Sequence, residues 1–468
     1  MAYQDVMERR GSIIRKSVGI DYEHYRTGTL AFDYERLLSD TGYTLEETAR
    51  VQAETAVGKT PLVELKNLTR LVRKVSLKGK GGRIFVKDEA ANPSGSFKDR
   101  RASLSVYEAK KRSFPGVAAA TSGNYGAAVA SQAAKYGLPC IIVQEAFDSR
   151  GIAQPEILEK ARACEAYGAE VVRLSVGPEL FYVFLLILEE TGFFNASLYT
   201  PFSVLGIETL GYEIAVEIHQ KEGVFPDVVV ATHAGGGNIT GTGRGLLKAG
   251  ARHTRLVGAS VDLQGLHMAS DRDFNRKSFT TGHTGFGVPF ASWPDRTDVP
   301  FNAARPLRYM DRYVTVTQGE VFYITQALAE LEGMERGPAG NTSLAAGFSL
   351  ARQMEEHRIL VVQETEYTGA GKHPIAQLNQ AMAMGIEVKR GDPKDNIPGT
   401  RIVLPEHPSQ IEVQAIDLDR LRRAYIRKAL SILPEGELLQ DADRRFILED
   451  TRVREDLLDK ILYWEDLT

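Results

Sequence analysis

Asn92-Pro93-Ser94-Gly95-Ser96-Phe97-Lys98-Asp99-Arg100 joins a short apolar run, Ile84-Phe85-Val86, to a helix-forming segment that extends from Lys98 to Lys111. Pro93, Ser94 and Gly95 are turn formers, so the order reads as strand, turn, helix. The same order recurs. Gly116-Val117-Ala118-Ala119-Ala120 reads as a strand before a helix from Gly126 to Tyr136. The run from Pro139 to Gln144 precedes a helix from Pro155 to Tyr167, and Glu170-Val171-Val172-Arg173-Leu174 follows as another strand. Val228-Val229-Val230-Ala231 leads through a glycine-rich turn into a helix, and Ile359-Leu360-Val361-Val362 reads as a later strand. Strands alternating with helices predict an α/β fold with parallel sheets. Ligands of such folds sit beyond the carboxyl ends of the strands.

Residues 1 to about 55 read as a charged N-terminal extension with helical periodicity from Tyr34 to Gln52. From about 405 the composition shifts again. Asp417 to Lys428 and Ala442 to Trp464 are charge-rich with interleaved leucines and aromatics, which predicts a helical tail. Such a tail either packs on its own body or offers a surface to another subunit.

Composition narrows the function. A net charge of −4 on 468 residues gives no basic surface for nucleic acid. Two cysteines, Cys140 and Cys164, make no disulfide framework, and Cys140 reads as a small core hydrophobe in a strand. No signal-peptide pattern opens the sequence, and the apolar run Leu180 to Leu188 is too short to span a bilayer. A cytoplasmic enzyme is expected, with neither membrane nor nucleic acid as partner and no metal ligands.

Four segments carry chemistry. Lys98 falls at a helix start, where the positive dipole end disfavours an ammonium and favours a nucleophilic amine. Thr121-Ser122-Gly123-Asn124-Tyr125-Gly126 opens the next helix and offers backbone N–H groups to an anion such as a carboxylate. An ordinary helix cap by Ser122 or Asn124 explains that run equally well in isolation. Gly235-Gly236-Gly237-Asn238-Ile239-Thr240 lets the backbone wrap a phosphate. Its spacing is not that of a dinucleotide fingerprint, and Gly58-Lys59-Thr60 lacks the earlier glycine of a P-loop because Ala53 stands there. Thr365 to Pro374 follows the strand at Ile359 and offers hydroxyls at its end.

Taken together and in this order, the segments resemble the fold-type II pyridoxal 5′-phosphate (PLP) enzymes, the group of threonine synthase, tryptophan synthase β and cysteine synthase. Val57-Gly58-Lys59-Thr60-Pro61-Leu62 is similar to the family's entry segment. The resemblance implies two parallel-sheet α/β domains with the cofactor in the cleft between them. Residues 56–105 and 206–404 would form the larger, PLP-binding domain and 106–205 the smaller one, flanked by the extension (1–55) and the helical tail (405–468). It makes Lys98 the residue that carries the cofactor as a Schiff base and the first candidate for general base, ahead of Tyr125, His233 and His373. Asn124 would contact the cofactor's 3′-oxygen. Thr121, Ser122, Asn124 and Tyr125 would line the substrate-carboxylate site. Gly235, Gly236, Gly237, Asn238, Ile239 and Thr240 would cradle the phosphate, and Thr368 would face the pyridine nitrogen.

Within that group, Ser17-Val18-Gly19-Ile20-Asp21-Tyr22, Lys87-Asp88-Glu89-Ala90-Ala91-Asn92-Pro93 and Gln363 to Pro374 are similar to the β-subunit family of 2-amino-4-oxopentanoate thiolases. This implies an acyltransferase of ornithine breakdown. It would cleave 2-amino-4-oxopentanoate with coenzyme A to acetyl-CoA and alanine, as a dimer of large subunits working with a small α subunit. The alternative is threonine synthase or another PLP-dependent β/γ-elimination-replacement lyase.

Overall fold

The computed structural model describes residues 3–121, 123–147, 151, 153, 155–175, 177, 179–263, 278–280, 297–367, 374–434, 437 and 439–465. Thirteen strands are present among them: β1 (Leu62–Glu64), β2 (Arg83–Asp88), β3 (Val117–Thr121), β4 (Cys140–Phe147), β5 (Glu170–Ser175), β6 (Phe194–Asn195), β7 (Val228–Thr232), β8 (Arg255–Val261), β9 (Arg312–Val316), β10 (Ile359–Glu364), β11 (Glu387–Gly391), β12 (Arg401–Pro405) and β13 (Gln414–Ile416). The larger sheet runs β1-β2-β10-β7-β8-β9-β13. Its five inner strands are parallel, and the short edge strands β1 and β13 are antiparallel to their neighbours. A second, wholly parallel sheet runs β5-β4-β3-β6. β11 and β12 form a separate parallel pair.

Helices cover both faces of a parallel sheet, so its inner strands must be apolar throughout. β10 obeys this from Ile359 to Val362 and then ends in two buried polar residues, Gln363 and Glu364. Polar side chains buried at the carboxyl end of a central strand mark where the fold gives up packing for chemistry. Among the described residues no helix is long and apolar enough to cross a membrane.

The helix of Lys98 spans Lys98–Lys111, with the bounds its sequence predicts. It is clamped from below. Arg100 is fully buried and its guanidinium meets Glu89 at 2.7 and 2.8 Å and Glu213 at 2.8 and 2.9 Å. Lys87, also fully buried, reaches Glu213 at 3.0 Å and Glu217 at 2.7 Å. Charges this deep are tolerable only when every one is paired. The network ties β2, the lysine helix and the long helix Pro201–Glu222 into one unit.

That long helix also packs backbone to backbone against the helix Gly237–Lys248. A Cβ on Gly245 would lie 2.0 Å from the carbonyl oxygen of Glu208, and one on Gly241 would lie 2.4 Å from Cβ of Ile207. Neither obstacle is a flexible chain end. Gly245→Ala is therefore expected to push the two helices apart and cost about 1–3 kcal/mol. A fall in the urea midpoint checks this; an unchanged midpoint would show that the contact yields freely.

The chain ends pack on the body and on each other. Asp443 accepts the backbone N–H groups of Leu30 and Ala31 at 2.8 and 2.7 Å. Arg305 pairs with Asp450 and lies over the Tyr34 ring at 3.8 Å. Leu421, Tyr425, Ile426, Ile447, Leu458 and Ile461 of the tail share a core with Leu210 and Ile214. Of the two readings of the tail, self-packing is the observed one. The stretch expected as one helical run from Ala442 to Trp464 divides into helices Asp441–Thr451 and Glu455–Glu465, with Arg452 in the left-handed region at φ +53.

Candidate active site

The chemistry-bearing segments meet at the carboxyl ends of β2, β10, β7 and β3. The turn before Lys98 is stitched to the segment after β10. The Phe97 N–H donates to the Thr365 carbonyl at 3.0 Å, and the Tyr367 N–H donates to the Gly95 carbonyl at 2.7 Å. Asp99 accepts the Ser94 N–H at 2.7 Å, which holds the turn closed. A cavity of about 600 Å³ opens beside this turn, between Asn92–Gly95 and the helix Pro155–Ala166, with Tyr167 and Tyr367 at its rim.

Lys98 is half-buried as a residue with its amine enclosed. Burial holds that amine well below its usual pKa, the positive charge of Arg101 adds to the effect, and Glu366 opposes it. The depressed amine expected from the sequence is present, but its leading cause is loss of water rather than the helix dipole. The amine lies over the Phe97 ring at 4.4 Å.

Asn124 opens the helix Asn124–Tyr136, and its side-chain amide donates to the carboxylate of Glu366. The Thr121 hydroxyl accepts the Gly123 N–H at 3.2 Å, so it shapes the loop from inside. The Tyr125 ring is buried behind the loop, 5.9 Å from the Arg101 guanidinium. Ser122 and Thr368 lie outside the described residues, as does His373.

The glycine loop follows β7. Gly236 adopts φ +88 and caps the helix that Gly237 begins, leaving backbone N–H groups at a helix N-terminus. A Cβ on Gly236 would fall 2.5 Å from Pro306 and one on Gly237 would fall 2.5 Å from Nη2 of Arg101. The Asn238 amide donates back to the Thr232 carbonyl at 3.3 Å, and Ile239 is buried in the core. The Thr240 hydroxyl donates to the Gly236 carbonyl at 2.8 Å and accepts the Arg305 N–H at 2.7 Å. His233 packs its ring edge-on against Tyr313 at 5.0 Å.

Three residues here were not singled out in the sequence. Glu366 joins Asn124 to the surroundings of Lys98. Glu364 is fully buried, and burial, reinforced by Asp88 and Glu366, raises its carboxyl well above the usual range. Asp88 itself is bound by Arg336, whose Nε lies at 2.8 Å. Arg101 lies between Lys98 and the glycine loop. The signal for the two glutamates was present as Glu364-Thr365-Glu366 closing an apolar strand. Arg101 gave none, because adjacent arginines at a helix start read as surface charge.

The family model described as "Pyridoxal-phosphate dependent enzyme" matches residues 53–364, which hold all of these elements except the segment after β10. The chain belongs to that family. As a PLP enzyme it is 63% identical over 461 residues to a 2-amino-4-ketopentanoate thiolase beta subunit from an unknown prokaryotic organism, covering 98% of each chain. It is 62% identical over 452 residues to the 2-amino-4-ketopentanoate thiolase beta subunit of Acetoanaerobium sticklandii, covering 97% of this chain and 96% of that one. A threonine synthase of Methanosarcina acetivorans is 29% identical over 300 residues, 62% of this chain and 68% of that protein. The crystal structure of O-ureido-L-serine synthase shares the fold with a TM-score of 0.51 at 24% identity, covering 67% of this chain and 90% of that one.

The site suits the PLP of this family. It has an enclosed, depressed lysine amine, a glycine cradle at a helix N-terminus, and carboxyl and amide groups around the lysine. Neither cysteine joins it. Both are buried, and burial pushes the Cys164 thiol up to about 12 and raises that of Cys140 as well.

Proposed function

We propose that this chain is the large, PLP-binding subunit of a thiolase that cleaves 2-amino-4-oxopentanoate with coenzyme A to acetyl-CoA and alanine. The observation that carries the reading is the reach of the likeness. At 63% identity the match to a thiolase beta subunit spans 98% of the chain, including extension and tail, whereas the threonine synthase match covers 62%. A subunit so named points to a smaller α partner, and dimerisation of the large subunit and a cytoplasmic location go with this proposal.

In the overall reaction the thiol sulfur forms a bond to C4, the C3–C4 bond breaks, and the methyl carbon of alanine gains the proton the thiol gave up. Bound PLP supplies the sink for the electron pairs at the amino-acid carbons. The chain's own residues hold and move protons. Lys98 would carry the cofactor and then, as a free amine whose pKa burial lowers, serve as general base. The amides at Gly235–Ile239 would hold the phosphate, and Asn124 would meet the 3′-oxygen after turning from Glu366. Thr121 and Ser122 belong to the proposed carboxylate loop, with Tyr125 supporting it from behind, and Thr368 would face the ring nitrogen. Glu364, whose carboxyl burial favours in its protonated form, would serve as a proton donor. The cavity beside Asn92–Gly95 is our proposed approach for the thiol.

The test is acetyl-CoA formation from 2-amino-4-oxopentanoate and coenzyme A by the chain with its small subunit. Turnover is expected only when both subunits and coenzyme A are present. Phosphate release from O-phosphohomoserine without thiolysis would replace this reading with threonine synthase.

A further inference from the structure

We infer that Arg101 is a charged ligand of the cofactor phosphate, supplying the cation that the glycine loop lacks; this rests on the placement of that phosphate at Gly235–Thr240. Arg101 stands three residues after Lys98 on one helix, so the two side chains share a face. It is 2% exposed, so its charge acts in surroundings from which water is largely excluded. Its guanidinium is fixed on several sides. Nε donates to the Ser203 hydroxyl at 2.9 Å, and the rings of Tyr199 and Tyr125 lie at 5.3 and 5.9 Å. The backbone of Gly237, the first residue of its helix, comes so close that a Cβ there would meet Nη2 at 2.5 Å and Cζ at 3.0 Å.

The loop itself offers only dipoles. The Thr240 hydroxyl is committed at both its donor and its acceptor side, and the Asn238 amide turns back to Thr232. A helix N-terminus carries about half a positive charge, whereas a phosphate monoester carries about −1.5 to −2 at pH 7. A buried guanidinium at the edge of the cradle makes up much of the difference through charge-assisted hydrogen bonds. The arrangement also links the two halves of the site, because the charge that would hold the phosphate is the one that helps keep Lys98 unprotonated.

The experiment compares the full chain with Arg101→Met and Arg101→Lys, titrating each apoprotein with PLP and with pyridoxal, which lacks the phosphate. Imine absorbance gives the two affinities, and 31P NMR of bound PLP gives the ionisation state of the phosphate. The wild-type protein is expected to favour PLP strongly and to hold its phosphate as a dianion across pH 5.5–8. Arg101→Met is expected to weaken PLP by about 10- to 150-fold, leave pyridoxal unchanged, and let the phosphate titrate. Arg101→Lys, which keeps the charge without the planar fork, is expected to fall between and to keep the dianion. Equal weakening of both aldehydes, or unchanged PLP affinity in both variants with a raised KM for the amino-acid substrate, overturns the inference. If Arg101→Met does not fold, a titrating phosphate or unweakened PLP in Arg101→Lys overturns it just as well. A wild-type protein indifferent to the phosphate of PLP overturns the phosphate placement itself, whatever the variants do.

Discussion

Lys98→Ala protein is expected to bind no PLP as an imine and to lose at least about a thousandfold in turnover, since both the covalent tether and the general base go with one side chain. The wild-type chain reduced with borohydride should carry the cofactor on the peptide containing Lys98, and the variant should carry none. The effect should be specific to the amine. Lys98 makes no ion pair or side-chain hydrogen bond that the fold depends on among the described residues, and its nearest ring is that of its own neighbour Phe97 at 4.4 Å. The variant is therefore expected to keep the thermal stability of the apoprotein. A reducible imine persisting at another lysine would end the assignment.

Arg100→Leu tests the layer beneath. Here the loss should be of stability, about 3–5 kcal/mol, because Glu89 would be left in the interior without its cation and Glu213 with Lys87 alone. The pH dependence gives the signature. Arg100 and Lys87 hold the Glu213 carboxyl down to about 2 against the burial that would raise it, from an ordinary 4.5. A depressed carboxyl stabilises the fold fully above 4.5, and that contribution is lost as pH falls through the folded value near 2. Wild-type stability should therefore decline in acid between about 4.5 and 2. Without Arg100 only Lys87 opposes the effect of burial, the Glu213 carboxyl moves up, and the variant should be less handicapped at pH 4 than at pH 8. Equal deficits at the two pH values in denaturant titrations would mean that the arginine acts through packing alone.

These two neighbours show how position alone divides roles. Arg101 meets the glycine loop on the face it shares with Lys98, while Arg100 turns into the core with Glu89. Nothing in Lys98-Asp99-Arg100-Arg101 read as letters distinguishes the second arginine from a solvated charge. Helix geometry separates them, since a step of one residue rotates a side chain by about 100°. The same holds for Glu364 and Glu366, two residues apart at the end of β10. Their chemistry depends on which neighbours the adjacent strands and the asparagine loop bring against them.

Local signals sufficed for much of the architecture. The turn at Pro93–Gly95, the glycines before Asn238 and the apolar runs of β3, β7 and β10 each specify their own conformation through backbone freedom or solvent exclusion. The helix of Lys98 accordingly falls on its predicted bounds. β1, β6, β8, β9, β11, β12 and β13 were not anticipated. β1 and β13 are only three residues long, and such edge strands are defined by the partner they bond rather than by a pattern of their own.

The amino-acid order on its own determined the α/β alternation and the strand–turn–helix setting of Lys98 and of the glycine loop, because turn chemistry and hydrophobic period act over a few residues. Only the tertiary structure decided how deeply the Lys98 amine is buried, which arginine meets the glycine loop and which carboxyl burial raises. Those properties are electrostatic energies of burial, and they depend on neighbours up to hundreds of residues away in the chain.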